Sequence, residues 1–316
     1  MAEWLYEEGI GENRAILVEH GAIVEAAIEL PGHRAGAVLP VRLVSIAGVG
    51  TLDDDTQVIV SPLPCGVTEG AIFLGELIRE EIPEADKPKP ARVRPSRDSA
   101  REGPDLANRI GAPAPPPNHG PDRFEAAGWS ELLDEAMRGE IAFPGGALRM
   151  SVTPAMTLFD VDGSLPPAAL AEAGAAAAAR AIRRLGIAGS IGIDLPTLGR
   201  DARQAAAHIF DAILPQPFER AAVNGFGFLH VVRRRERPSL SELLQADPVG
   251  AAARALLRQA ERHAGAVILH AAPKVIARIE AGPAWTEQLA RRIGGTVALR
   301  ADPGLAISAG YVEPNL

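Results

Sequence analysis

The stretch from Met156 to Leu195 constrains the fold more than any other part of the chain. Met156, Leu158, Asp160 and Asp162 alternate along an apolar run, so on a strand they share one face. Ala168 to Leu185 is mostly alanine and reads as a helix. Ser164 is a candidate N-cap, and Pro166-Pro167 suits a first helical turn, where a missing N–H costs little. Arg180, Arg183 and Arg184 fall in the last turns, where cations complement the negative end of a helix. Gly186 to Asp194 then reads as a short buried strand ending in an acid. Strand, helix and strand in about 40 residues make a βαβ unit with a right-handed crossover and parallel strands. Parallel strands share a carboxyl edge, the edge at which open α/β sheets build their sites. The pattern therefore predicts that Asp160, Asp162 and Asp194 converge.

Converging carboxylates repel unless something compensates them. A hard divalent cation is one solution, and magnesium needs only one or two carboxylates because it keeps several waters. Independent capping of a strand end or turn by each aspartate also fits the spacing, since strand-end aspartates are common.

Charge argues for caution about a polyanionic partner. The formal net charge is −8, whereas proteins built chiefly to hold nucleic acid are usually basic. A local patch can still act within a screening length of about 10 Å. Arg233, Arg234, Arg235 and Arg237 form the densest basic cluster, at the end of an apolar run where they can track phosphates or simply pair with acids. Arg149 alternates with apolar neighbours and either faces the acids or makes a structural ion pair. The histidines at 20, 33, 208, 230 and 270 show no spacing of a metal triad or a Ser-His-Asp set. Cys65 is the one cysteine, which excludes an internal disulfide or a Cys-based zinc site; it reads as a small apolar residue in a β-like run.

Upstream, residues 14–30 read as a hairpin turning at His20-Gly21, closed by Pro31-Gly32. Residues 37–46 and 56–61 are further strand candidates, separated by Asp53-Asp54-Asp55. Residues 86–122 carry nine of the 27 prolines and few large apolar side chains, which leaves too little surface to offset ordering. The expectation is an extended or disordered linker over about 95–121, preceded by a basic strip from Lys87 to Arg101 that is either a solvated face or an RNA-phosphate contact. Trp129, Leu132, Leu133 and Met137 have helical spacing. The amino terminus has acids where a secretory signal has bases, and no unbroken apolar run is long enough to span a membrane, so the expected location is cytoplasmic with no membrane partner.

With these pieces in order, the chain resembles the ribonuclease E/G family. Ile28-Glu29-Leu30-Pro31-Gly32-His33 resembles the family's first hairpin and its turn. Gly145-Gly146 and then Thr153-Pro154-Ala155-Met156-Thr157-Leu158-Phe159-Asp160-Val161-Asp162 resemble the strand with the first catalytic aspartate. Gly189-Ser190-Ile191-Gly192-Ile193-Asp194 resembles the strand with the second. Phe218-Glu219-Arg220, Asn224-Gly225-Phe226-Gly227-Phe228-Leu229 and Arg233-Arg234-Arg235 resemble the later strand and its basic end. Pro238-Ser239-Leu240 and the tail from about 254 to 313 resemble the family's small carboxy-terminal domain.

The resemblance implies a mixed α/β (α+β) chain. An RNase H-like amino-terminal region with a reduced S1-like insertion would fill 1–94, with a flexible linker over 95–122. A DNase I-like catalytic domain would fill 123–245, and a small α/β carboxy-terminal domain 246–316. It also implies a magnesium-dependent endoribonuclease that cuts single-stranded RNA and leaves a 5′-phosphate. Asp160 and Asp194 would be its metal ligands and Asp162 a catalytic partner; Arg149, Arg220, Arg233, Arg234 and Arg235 would contact RNA.

The pattern departs from the family in three places. Only about 35 residues (36–70) stand where the S1 barrel would be, with Phe73 the lone stacking candidate, so a full stacking platform is not expected. No counterpart of the 5′-phosphate pocket is evident. The family's Cys-Pro-x-Cys zinc link is replaced by residues 241–250, so no zinc-linked dimer is expected, although homo-oligomers through another surface remain open. The alternative is a catalytically decayed RNA-binding or ribosome-associated protein on the same scaffold.

Overall fold

A computed structural model describes residues 2–84, 87–111 and 120–315 of the chain. The elements, in chain order, begin with strands β1 (Glu3–Glu8), β2 (Asn13–Glu19) and β3 (Ala22–Glu29). Then come β4 (Val38–Ser45), β5 (Val49–Thr51), β6 (Gln57–Val60), β7 (Ile72–Arg79) and β8 (Ala91–Pro95). Helices α1 (Leu106–Ile110), α2 (Arg123–Ala126) and α3 (Trp129–Arg138) lead into β9 (Glu140–Phe143), β10 (Gly146–Val152) and β11 (Thr157–Gly163). Next are α4 (Pro167–Arg184), β12 (Gly189–Asp194), α5 (Arg200–Ile213), β13 (Glu219–Arg220) and β14 (Phe228–Arg233). The chain finishes with α6 (Leu240–Ala246), α7 (Pro248–Ala260), β15 (Val267–Ala271), α8 (Pro273–Glu280), α9 (Trp285–Ile293), β16 (Val297–Ala301) and β17 (Tyr311–Pro314).

These elements form two compact units, both discontinuous in sequence, whereas the expectation divided the chain at 94, 122 and 245. One comprises the described residues of Met1–Pro31, Leu106–Ser130 and Leu243–Leu316; the other, Gly32–Asp105 and Glu131–Glu242. The class is mixed α/β, as expected. No helix among the described residues is long and apolar enough to cross a membrane.

The first unit holds an antiparallel β1-β2-β3 meander, with His20 and Gly21 at positive φ in the β2–β3 turn. A second sheet, β16-β15-β17, packs with α7, α8 and α9 around Leu257, Leu269, Ile276, Trp285 and Leu289. Arg14 is fully buried between Glu7 and Glu12, each 3.3 Å away. Arg254 donates to Glu12 at 2.9 Å. Arg258 grips Glu7 at 2.8 Å and Asp122 at 2.7 Å. Buried guanidinium groups need such partners because a lone charge in a dry interior costs on the order of several kcal/mol.

In the second unit, β4-β5-β6-β8-β7 close into a five-stranded barrel, the strand number of the Greek-key OB folds. It extends beyond residues 36–70, where the sequence placed the insertion. The barrel draws its last two strands from beyond residue 70, including β8, which lies in the proline-rich, basic stretch. Parallel pairing of β6 with β8, Val58 opposite Ala91 and Val60 opposite Val93, supplies the closure. Val41, Leu43, Val58, Val60, Leu77 and Val93 fill the interior. Gly50 and Gly75 face it where a Cβ would stand 2.9 Å from a methyl of Val41. Small barrels need such small residues where opposite walls come close.

Within the expected linker, Arg101 forms a bridge to Val38, and Leu106–Ile110 is the helix α1. Pro113 and the Pro115-Pro116-Pro117 run lie outside the described residues. Cys65 is exposed on the segment between β6 and β7, not packed within a strand as its apolar neighbours suggested.

The same unit holds a six-stranded sheet, β13-β14-β12-β11-β10-β9, in which only β11 and β12 are parallel. Helix α4 is the crossover between them. Its N-cap position is Pro166 without a side-chain cap, not Ser164; Pro167 occupies the first turn. Phe159, Val161, Ile191, Ile193, Leu229 and Val231 are buried on the helix-covered face. Gly174 of α4 rests on Val161 so closely that a Cβ would overlap its Cγ1, which sets how near the helix lies to the sheet.

Candidate functional site

The strand period of two sorts the sheet into two chemistries. Buried residues at odd positions of β11, β12 and β14 meet the helices. The even positions carry Leu158, Asp160, Asp162, Ser190, Gly192, Asp194, Phe228, His230 and Val232 on the opposite face. Of these, the three aspartates and Val232 are exposed.

Asp160 and Asp194 are direct register partners across the parallel β11–β12 pair. Adjacent strands run about 4.8 Å apart, so the two carboxylates rise side by side at the carboxyl edge. Arg149 on β10 is the register partner of Asp160 on its other side, and its guanidinium pairs with Asp162 at 3.3 Å. Both members of that pair are more than half exposed, so it is screened by salt and contributes little to stability. Asp160, Asp162 and Asp194 do not form a trio of mutually close ligand atoms. Among the described residues the trio within 4.8 Å is His33, Asp53 and Asp54. Asp162 is thus held by Arg149, and Asp160 and Asp194 are the last register pair of the parallel strands.

The arginines expected on RNA scatter. Arg220 is opposite Val231 in the β13–β14 register, on the helix side, and donates twice to Asp211 at 2.6 and 2.5 Å. Arg233 has the parity of Val231 and donates to the Ile187 carbonyl at 3.0 Å. Both therefore lie on the face away from Asp160 and Asp194, because an odd offset along a strand reverses the side-chain direction. Arg235 pairs with Glu242, and Arg234 pairs with Glu236 while remaining largely exposed. Arg149 is the expected arginine that shares the aspartate face.

Three residues of the basic strip are similarly engaged: Lys89 pairs with Glu84 at 2.6 Å and also donates to the Pro154 carbonyl, Arg94 pairs with Glu76 at 2.7 Å, and Arg101 with Asp98 at 3.0 Å. Phe73 is half-buried against the barrel core.

Two polar clusters escape a sequence reading. Ser190 Oγ and His230 Nε2 lie 2.7 Å apart on the open face, from residues 40 positions apart in the chain. His33 Nε2 lies 2.9 Å from Asp54 Oδ2. The Asp54 carboxyl is held below its ordinary value, first by a hydrogen bond from the Thr56 side chain and then by the Thr56 N–H and His33. Spacing did not disclose either pair, because each joins segments that only the fold brings together.

Protein-family models give no match to this chain, and no curated protein matches it.

Proposed function

We propose that the protein is a magnesium-dependent endoribonuclease of the ribonuclease E/G type, cutting single-stranded RNA to leave a 5′-phosphate. The observation that carries this reading is the register pairing of Asp160 with Asp194 on an exposed sheet face. Its support is the ordered set of motifs around those two residues; the same resemblance implies an RNase H-like plan for the amino-terminal region, with a reduced S1-like insertion, and a DNase I-like plan for the catalytic sheet.

The donor set suits the ion. Two neighbouring exposed carboxylates offer hard oxygen ligands and leave the remaining positions to water, which is how magnesium is usually held. Asp160 and Asp194 would hold it, and it would supply polarisation of a phosphate oxygen and a more acidic attacking water. Arg149, beside Asp160 in the register, offsets the charge of the incoming phosphodiester and keeps Asp162 oriented through their ion pair. In the hydrolysis a water oxygen bonds to phosphorus while the P–O3′ bond breaks. The 3′ oxygen takes a proton, and the phosphate stays on the 5′ side.

Purified protein with magnesium should cut a 5′-labelled single-stranded RNA into products bearing 5′-monophosphate, and Asp194→Asn should abolish cleavage. Absence of cleavage by the wild type across several RNAs and divalent metals would overturn the reading. The alternative is an RNA-binding or ribosome-associated protein without catalysis on the same scaffold. It predicts salt-sensitive RNA binding that neither magnesium nor Asp194→Asn alters.

A further inference from the structure

Phe226 is 82 % exposed, yet its backbone is held from several sides. Asn224 Oδ1 accepts from the N–H groups of both Phe226, at 2.9 Å, and Phe228, at 3.1 Å. Thr197 Oγ1 donates to the Phe226 carbonyl at 3.1 Å. Leu195, the residue after Asp194, donates its N–H to the Gly227 carbonyl at 3.2 Å. Gly227 has φ +96° and lies so close to Leu195 that a Cβ would overlap the Leu195 carbonyl. The turn is therefore pinned to the carboxyl end of β12.

A second phenylalanine borders the same acid. Phe228 is the register partner of Asp194, and directly opposed residues of an antiparallel pair share a face. Its ring reaches across the neighbouring Gly192, where a Cβ would overlap the ring and stand 2.8 Å from Leu158 Cδ2. Glycine at 192 is what lets the ring and Leu158 lie over the strand. Asp194 thus has one half-buried aromatic across the strand and one exposed aromatic on the adjoining turn.

We infer that Phe226 is a base-stacking residue: it takes the nucleobase of a single-stranded RNA nucleotide next to the phosphate positioned at Asp160 and Asp194, with Phe228 as the apolar floor beside it. The inference rests on the proposed nuclease reading and specifies how that site holds its substrate. Every nucleobase presents a π-face, so an aromatic ring holds it without regard to sequence. The surroundings favour a flat, isolated partner over a protein surface. Asn224, Gly225 and Thr197, in and beside the turn, are exposed and polar or small, and a lone exposed ring makes no contiguous apolar patch of the kind that marks protein interfaces. Arg203 adds a cation: its Nη1 lies 3.6 Å from the place of a Cβ on Gly225, beside the turn where the stacked nucleotide's own phosphate would run.

The test is stopped-flow fluorescence of the full chain with magnesium and a short single-stranded RNA carrying 2-aminopurine, read before cleavage develops. Stacking quenches the probe. Wild type should quench it. Phe226→Ala should lose the quench and bind about tenfold more weakly, the scale of one lost base–aromatic stack. Phe226→Trp should restore both and Phe226→Leu should not. Thermal melting should be unchanged in all three variants, because the ring is exposed. Quenching and affinity within about twofold of wild type in Phe226→Ala, with RNA still bound and cut, overturn the stacking role alone. A wild type that binds no RNA at low salt overturns the stacking role and the nuclease reading together.

Discussion

Asp160 and Asp194 are register partners across the two parallel strands of the sheet, Asp160 midway along β11 and Asp194 at the carboxyl end of β12. If both grip one ion, their contributions to its binding are coupled. Asp160→Asn and Asp194→Asn should each weaken manganese binding, followed by electron paramagnetic resonance, by at least about tenfold, the loss seen even for outer partners of a metal site. The loss in the double variant should be far smaller than the product of the two single losses. Multiplicative losses would mean two independent strand-end acids.

Arg149 is the expected RNA-binding arginine on the aspartate face, where it pairs with Asp162 at 3.3 Å. Replacing it with alanine should remove about one phosphate contact. The slope of log affinity against log salt for single-stranded RNA should become shallower by roughly 0.7, with binding weakened evenly across sequences. Arg220→Ala and Arg233→Ala, on the far face, should leave that slope unchanged. A change with Arg233→Ala and none with Arg149→Ala would invert the assignment.

Gly174 sits in α4 against Val161, and a Cβ would overlap Val161 Cγ1 and stand 3.0 Å from Cγ2. A glycine-to-alanine change inside a helix ordinarily gains about 0.5–1 kcal/mol. Here the added methyl meets a β-branched side chain on a buried strand, so Gly174→Ala should cost about 1–3 kcal/mol. Urea unfolding should move its midpoint down; an upward shift would show that the helix can lift away freely.

Asp122 faces opposing influences. Burial disfavours its charge, but the hydrogen bonds from Arg258 and from the Glu125 N–H, with the charges of Arg258 and Arg262, outweigh this and hold its carboxyl below the ordinary 3.8. A depressed folded pKa adds stability that is present above the unfolded value and is lost as pH falls through the folded one. Asp122→Asn should therefore be less stable than wild type by about 1–3 kcal/mol near neutrality, the worth of hydrogen bonds to a charged group. The gap should close as pH drops below 3.8. Denaturant titrations of both proteins across that range measure the difference directly, and a gap independent of pH would remove the charge from the explanation.

The candidate site was partly legible in the chain. Alternation from Met156 to Asp162 and the alanine-rich helix after it are local patterns, and they led to the β11–α4–β12 unit and to Asp160 and Asp194 on one edge. The barrel was not legible past residue 70, because β8 lies among prolines and charges and acquires its strand character from pairing with β6 and β7. Nor was the division of the arginines. Arg149 and Arg233 look alike beside apolar runs, and only the register of β14 against β12, Gly189 opposite Arg233 and Gly192 opposite His230, turns Arg233 to the helix side.

Period and composition alone set which segments could be strand or helix and which acids share a strand face, because side-chain direction within one element repeats every two or 3.6 residues. Tertiary structure alone decided that five short strands close into a barrel, that Ser190 meets His230, and that Phe228 lies over Gly192 beside Asp194. Those outcomes depend on pairing between strands distant in the chain, and a shift of one residue in that pairing would send every side chain to the other face.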